Sequence, residues 1–179
     1  CFYLMLALRQ RLREQKWFEH KGITEPNLAE LLDLVALGTV ADVVPLDRLN
    51  RTLVDAGLKR IRSGQGTAGI RALLQVAGRS VPACVSSDLG FAAGPRLNAA
   101  GRMEDMSIGI QLLLENNPET ALSMAQVLND INHERRHVED NMQTQAAEIL
   151  ADMHLDSPEK HYGYCLFDET WHPGVVGLL

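Results

Sequence analysis

Between Pro118 and Pro158 the chain contains neither glycine nor proline. A stretch that long without the two residues that most disfavour helix interiors predicts one continuous helix. Asn117-Pro118 suits its start, because proline is tolerated in the first turn, where its missing N–H has no intrahelical partner to lose. The expected helix covers 117–157. It outruns the core of a small domain and reads as a connector between one body formed by 1–116 and another beginning at 158–179.

Shorter helices are expected before it. Phe2, Leu4, Met5, Leu6, Leu8 and Leu12 recur at helical spacing from Cys1 to about Gln15. Asn27, with Glu30 three positions on, forms a capping pattern for a second helix to about Leu37. Leu49, Leu53, Val54, Leu58 and Ile61 mark a third, which Ser63-Gly64-Gln65-Gly66 ends before another from Thr67 to about Val76. A helix starting near Ser87 is expected to be interrupted at Pro95, and one from Met106 to Glu115 follows Asp105 as its cap. Past the connector, Tyr162 to Phe167 is apolar and aromatic enough for a buried strand, and Asp168 to Pro173 reads as a loop feeding a new helix. The chain opens at Cys1 inside an amphipathic pattern and stops at Leu179 inside an apolar run, so a piece of a longer protein is expected.

Composition narrows the class. With 46% hydrophobic and 22% charged residues the chain should fold. No apolar run approaches the roughly 18 residues of a membrane span, and Arg9, Arg11 and Arg13 follow the apolar start, the reverse of a signal peptide. Cys1, Cys84 and Cys165 are distant and odd in number, which suggests neither a disulfide framework nor a cysteine zinc site and points to a reducing cytoplasm. A net charge of −6 lacks the massed cations of a general nucleic-acid binder, but carboxylates are what hard divalent cations take.

Two motifs are decoys. His133-Glu134-Arg135-Arg136-His137 spells a zinc-peptidase helix, yet Arg135 and Arg136 fill its middle, Asn129, Asp130, Asn132, Glu139 and Asp140 surround it, and no downstream Gly-x-x-His follows. Glu148 or Glu159 would have to serve as third ligand, and a solvated or phosphate-facing surface is the better reading. Gly64-Gln65-Gly66-Thr67-Ala68-Gly69 matches a dinucleotide fingerprint but follows a charged amphipathic helix where a buried strand is required, so an interhelical turn is expected.

Three segments carry more. Asp42 is the single carboxylate of Leu34 to Leu46, an apolar stretch, and a buried carboxylate needs either a divalent cation or the backbone N–H groups of a turn. On the residues alone the turn is preferred. In Gly94-Pro-Arg-Leu-Asn-Ala-Ala-Gly-Arg-Met103 the small residues permit close approach of a ligand, and Asn98 and Arg102, four apart on a helix, can grip one phosphate, with Arg96 nearby. An ion pair of arginine with Glu104 or Asp105 is the equal alternative. Trp171 and His172 lie before an expected helix N-terminus, where either anion binding or plain packing is open.

Taken together, Ala36-Leu-Gly-Thr-Val-Ala-Asp-Val-Val-Pro-Leu46 with Asn50-Arg51, then Gly94 to Met103, then Trp171-His-Pro-Gly-Val-Val-Gly177 closely resemble, in this order, the RecJ exonuclease family of the DHH phosphoesterase superfamily. Asn129, Asn132, Arg135, Arg136 and Glu139 resemble that family's linking helix. The resemblance implies an α/β DHH domain binding two Mn²⁺ or Mg²⁺ ions, a long connecting helix, and a smaller DHH-associated domain. This stretch would be mostly α-helical: the C-terminal part of the DHH domain, the connector, and the first strand of the associated domain. Asp42 then matches a metal ligand, Asn98, Arg102 and Arg96 a substrate-phosphate site, and His172 a cleft position. The implied activity is hydrolysis of single-stranded DNA from its 5′ end to 5′ mononucleotides in recombination and repair, with a single-stranded-DNA-binding protein and a helicase as partners. A DHH phosphoesterase for short RNA or nucleotides, or a DHH-derived module without metals, are the alternatives. The Asp-x-Asp-Gly and Asp-His-His motifs expected upstream, and the glycine-rich histidine motif expected downstream, do not occur, so this stretch alone is expected to be inactive.

Overall fold

A computed structural model describes residues 1–152 and 163–179, and among these every regular element is helical. Helix α1 (Phe2–Glu14) buries none of its residues, and α2 (Trp17–Lys21) is entered through Lys16 at φ 51° and left through Gly22 at φ 64°. Asn27 caps as expected, its side chain accepting from Ala29 N–H at 3.2 Å, and a 3-10 turn leads into α3 (Leu32–Ala41). That helix outlasts its expected end at Leu37, since Gly38 is tolerated mid-helix.

Helix α4 (Arg48–Arg62) starts on Asp47, which accepts from Asn50 N–H at 2.8 Å, and α5 (Ala68–Val76) follows the turn at 63–66. Gly64 takes φ 77° there, so these glycines do serve an interhelical turn. Next, α6 (Ser86–Asp88), a π turn (Leu89–Ala93) and α7 (Gly94–Met103) form one unbroken helical run. The interruption expected at Pro95 does not occur. The wider π turn just before it, with Gly94 N–H reaching Leu89 O, changes the ladder where proline has no N–H to give.

Asp105 starts α8 (Ser107–Leu114), accepting from the N–H and hydroxyl of Ser107, which hold its carboxyl below the usual range. Helix α9 (Pro118–Asp152) has 35 residues and extends about 50 Å. Asn117 caps it, accepting from Glu119 and Thr120 N–H at 2.9 and 3.1 Å. Its first half lays Ala121, Ala125 and Leu128 into the core, against α5 and α7, whereas beyond Asn132 only Met142 is buried. The helix end expected at 157, the boundary at 158, His154, Glu159, His161 and Tyr162 lie outside the described residues.

The core gathers Ala36, Leu37, Ile61, Ile70, Leu73, Leu74, Leu89, Leu112 and Leu128. Among the described residues no strand forms: 163–168 are irregular and Phe167 is 83% exposed, because an expected strand has no neighbour to complete its hydrogen bonds. The helix expected after Pro173 is one 3-10 turn, Val176–Leu178. No helix among the described residues is long and apolar enough to cross a membrane.

Helices α3 and α4 cross at Gly57, where an added Cβ would lie 2.2 Å from Leu32 O and 2.5 Å from the Ala36 Cβ. Gly57→Ala should therefore destabilise the fold by about 1–3 kcal/mol, although alanine is the better helix former by about 1 kcal/mol. Chemical denaturation reads the sign directly. A stabilised variant would show that the crossing is not close-packed.

Candidate functional site

Asp42 ends α3 as its C-cap. The closing turn pairs Val43 N–H with Val40 O at 3.2 Å and Val44 N–H with Thr39 O at 3.1 Å, and Val43 takes φ 55°. Such a turn normally recruits glycine; a β-branched residue there stores strain of about 1–3 kcal/mol beside the carboxylate. The expectation of a buried Asp42 is overturned: its side chain is exposed and makes no hydrogen bond or ion pair with the described residues. Val43, Val44 and Leu46, at 87%, 38% and 40% exposure, show why the apolar pattern misled. This chain leaves the run uncovered, together with a groove of about 480 Å³ that Asp42 lines with Phe2, Leu34, Val35 and Leu53.

The fully buried carboxylate of α3 is Asp33, which pattern reading passed over. It accepts from Leu34 N–H at 2.9 Å and Thr67 N–H at 2.6 Å, tying α3 to the start of α5. The sequence signal was an aspartate just inside a helix start, four positions before a core residue.

From Asp42 the structure leads to α7. Ala41, its neighbour, lies under Gly94, where a Cβ would be 3.2 Å from the Ala41 Cβ, and Val40 similarly meets Gly90. Gly94, Asn98 and Arg102 then follow at four-residue spacing on one side of α7, each about 6 Å further along. At the far end Arg102 donates from Nη1 to Gly174 O at 3.1 Å, across 72 residues of sequence. Asn98 is exposed, and neither it nor the rest of the Arg102 guanidinium has a partner among the described residues.

Gly174 belongs to a tight segment. Asp168 accepts from the N–H and hydroxyl of Thr170, which hold its carboxyl below the usual range, and Trp171 donates from Nε1 to Gln145 of α9 at 2.9 Å. Gly174 N–H donates to His172 Nδ1 at 3.1 Å, which leaves Nε2 as the nitrogen able to carry the proton of a neutral ring. Val175 is fully buried. The structure thus brings Arg102 and the His172 segment together, while Asp42 lies on α3, next to the Ala41 that packs on Gly94 at the start of α7.

Arg96 leaves α7 on another side. Its Nε donates to Asn129 of α9 at 3.0 Å and its Nη1 to Ala92 O at 2.8 Å; burial first, then Arg136 and Arg79, push its pKa down. One turn past Asn129, Asn132 is fully buried with both side-chain polar atoms unpaired among the described residues. Arg135 pairs with Glu139 at 2.6 Å, while His133 and His137 are exposed. Among the described residues no three His, Cys, Asp or Glu side chains gather where a metal ion could sit. Asp42 fits a divalent cation as one accessible oxygen donor, which alone is too few for a site.

No family model matches the chain. Over all 179 residues it is 53% identical to the single-stranded-DNA-specific exonuclease RecJ of Dickeya dadantii (strain 3937) and 52% to that of Escherichia coli (strain K12), each match covering 31% of the relative. A crystal structure of RecJ from Thermus thermophilus in complex with Mn²⁺ superimposes with a TM-score of 0.72 at 32% identity, covering 90% of this chain and 23% of that one. The chain belongs to the RecJ family. It spans about a third of the length of the curated RecJ relatives it matches. Of the three segments that resembled RecJ in sequence, α7 touches the other two, at Ala41 through Gly94 and at Gly174 through Arg102.

Proposed function

We propose that this chain is an internal part of a RecJ-type exonuclease that hydrolyses single-stranded DNA from its 5′ end, releasing 5′ mononucleotides in recombination and repair. The observation that carries it is the α7 stripe, which runs from the end of α3, beside Asp42, to Asn98 and Arg102, in a chain 53% identical to a RecJ throughout. Residues 1–116 are then the C-terminal part of an α/β DHH domain, 117–157 the connecting helix, and 158–179 the start of the DHH-associated domain, whose first strand finds its partners further on. The groove beside Asp42 and the uncovered Val43, Val44 and Leu46 receive the rest of the DHH domain.

Asp42 serves as one ligand of a Mn²⁺ or Mg²⁺ pair. When bound, the cations supply positive charge for the attacking and leaving oxygens of the phosphodiester. Asn98 donates an amide hydrogen bond and Arg102 a charge-assisted one to substrate phosphate, Arg102 being held by one terminal nitrogen, Nη1, on Gly174 O. His172 borders the cleft. The protein works in the cytoplasm, with a single-stranded-DNA-binding protein and a helicase as partners.

The test uses the full-length protein and single-stranded oligodeoxynucleotides labelled at either end. With Mn²⁺, label should leave the 5′ end first as mononucleotide, a chelator should stop the reaction, and residues 1–179 alone should show none. Preferential cleavage of short RNA would move the assignment to the related phosphoesterases, and release from the 3′ end would overturn the polarity.

A further inference from the structure

We infer that Arg96 is a positioning residue: it fastens α7 to the connecting helix through Asn129 and so sets where Asn98 and Arg102 point, without touching substrate phosphate. This rests on the function proposed above. Helix geometry already separates the three side chains. At about 100° per residue, Asn98 and Arg102 lie about 200° and 240° around α7 from Arg96, so a phosphate gripped by the first two faces away from the third. The hydrogen bonds agree, since the Nε edge of Arg96 points at Asn129, which is only 9% exposed, and Nη1 reaches back to Ala92 O.

The chemistry of the pair gives the direction of the test. A half-buried guanidinium beside two other arginines, Arg79 and Arg136, is poorly placed unless its fork is satisfied, and both its acceptors are neutral oxygens fixed by helices. Asp88, the nearest acid along the same helical run, is taken by Arg79 at 3.5 Å. Lysine, a point charge without the fork, cannot reach Ala92 O and Asn129 Oδ1 together. Aspartate at 129 presents the same acceptor oxygen and adds opposite charge.

In the full-length protein, Arg96→Lys and Asn129→Ala should each lower kcat on a single-stranded oligodeoxynucleotide by about ten- to a hundredfold, because sub-ångström errors in α7 misplace the groups that meet substrate. KM should hold, the double variant should be no worse than either single one, and Asn129→Asp should recover most of the rate. A readout free of catalysis accompanies this: oligonucleotide affinity measured in chelator against salt should keep its slope in all variants. A slope reduced by about one in Arg96→Lys or Arg96→Gln, with raised KM and a silent Asn129→Ala, would make Arg96 a phosphate ligand and overturn the inference. Unchanged kinetics throughout would overturn it as well. Failure of the wild-type protein to degrade the oligonucleotide would instead sink the proposed function, leaving Arg96–Asn129 coupling to be read from a double-variant cycle in thermal stability.

Discussion

Asp42→Ala in the full-length protein should reduce Mn²⁺-dependent hydrolysis of single-stranded DNA by about three orders of magnitude while leaving the melting temperature unchanged. The two halves of this expectation have separate physical grounds. Stability is spared because the carboxylate makes no hydrogen bond or ion pair with the described residues, so its removal breaks no contact that holds these helices together. Activity should be lost because a divalent cation needs its full set of hard oxygen donors, and Asp42 is the ligand we propose for it. Asp42→Asn keeps the shape and removes the charge, so it should fall close to alanine. Metal titration by calorimetry should show weakened Mn²⁺ binding in both variants. Normal turnover with normal metal content would take Asp42 out of the site.

Helix boundaries set by caps were legible in the sequence because they depend on a few neighbouring atoms: Asn27 and Asp105 accept the N–H bonds expected of them, and the start expected at Asn117-Pro118 is where the long helix begins. The long helix was legible for the same local reason. The expected burial of Asp42 proved wrong. An apolar stretch says that something must cover it, and does not say that the same chain does, so Val43 and Val44 lie open and the buried carboxylate is Asp33. Pro95 misled because a π turn, set by the packing of Gly90 and Gly94 on α3, has no sequence signature. The strand expected at Tyr162–Phe167 illustrates a further limit, since pairing is a property of two segments, and 163–167 have no partner segment among the described residues. Arg96, Asn98 and Arg102 share a motif, yet only helical phase separates the one that turns to α9 from the two that do not.

Gly174→Ala should cost the full-length enzyme about a hundredfold in kcat/KM, more than the removal of any contact Gly174 makes would suggest. A Cβ at this position would sit 2.0 Å from Arg102 O and 3.0 Å from its carbonyl carbon, and neither is a flexible side-chain tip that can swing aside. The segment or the end of α7 must therefore move. Either movement lengthens the 3.1 Å bond from Arg102 Nη1 to Gly174 O, and the methyl would also crowd His172 Cε1 at 3.2 Å, disturbing the ring whose Nδ1 accepts from Gly174 N–H. One added carbon thus displaces Arg102, assigned to substrate phosphate, and His172, assigned to the cleft, while Asp42 on α3 is untouched. Mn²⁺ affinity should consequently stay at the wild-type value as catalytic efficiency falls, which separates this variant from Asp42→Ala. Wild-type efficiency in Gly174→Ala would mean that the Arg102–Gly174 contact has no part in holding substrate.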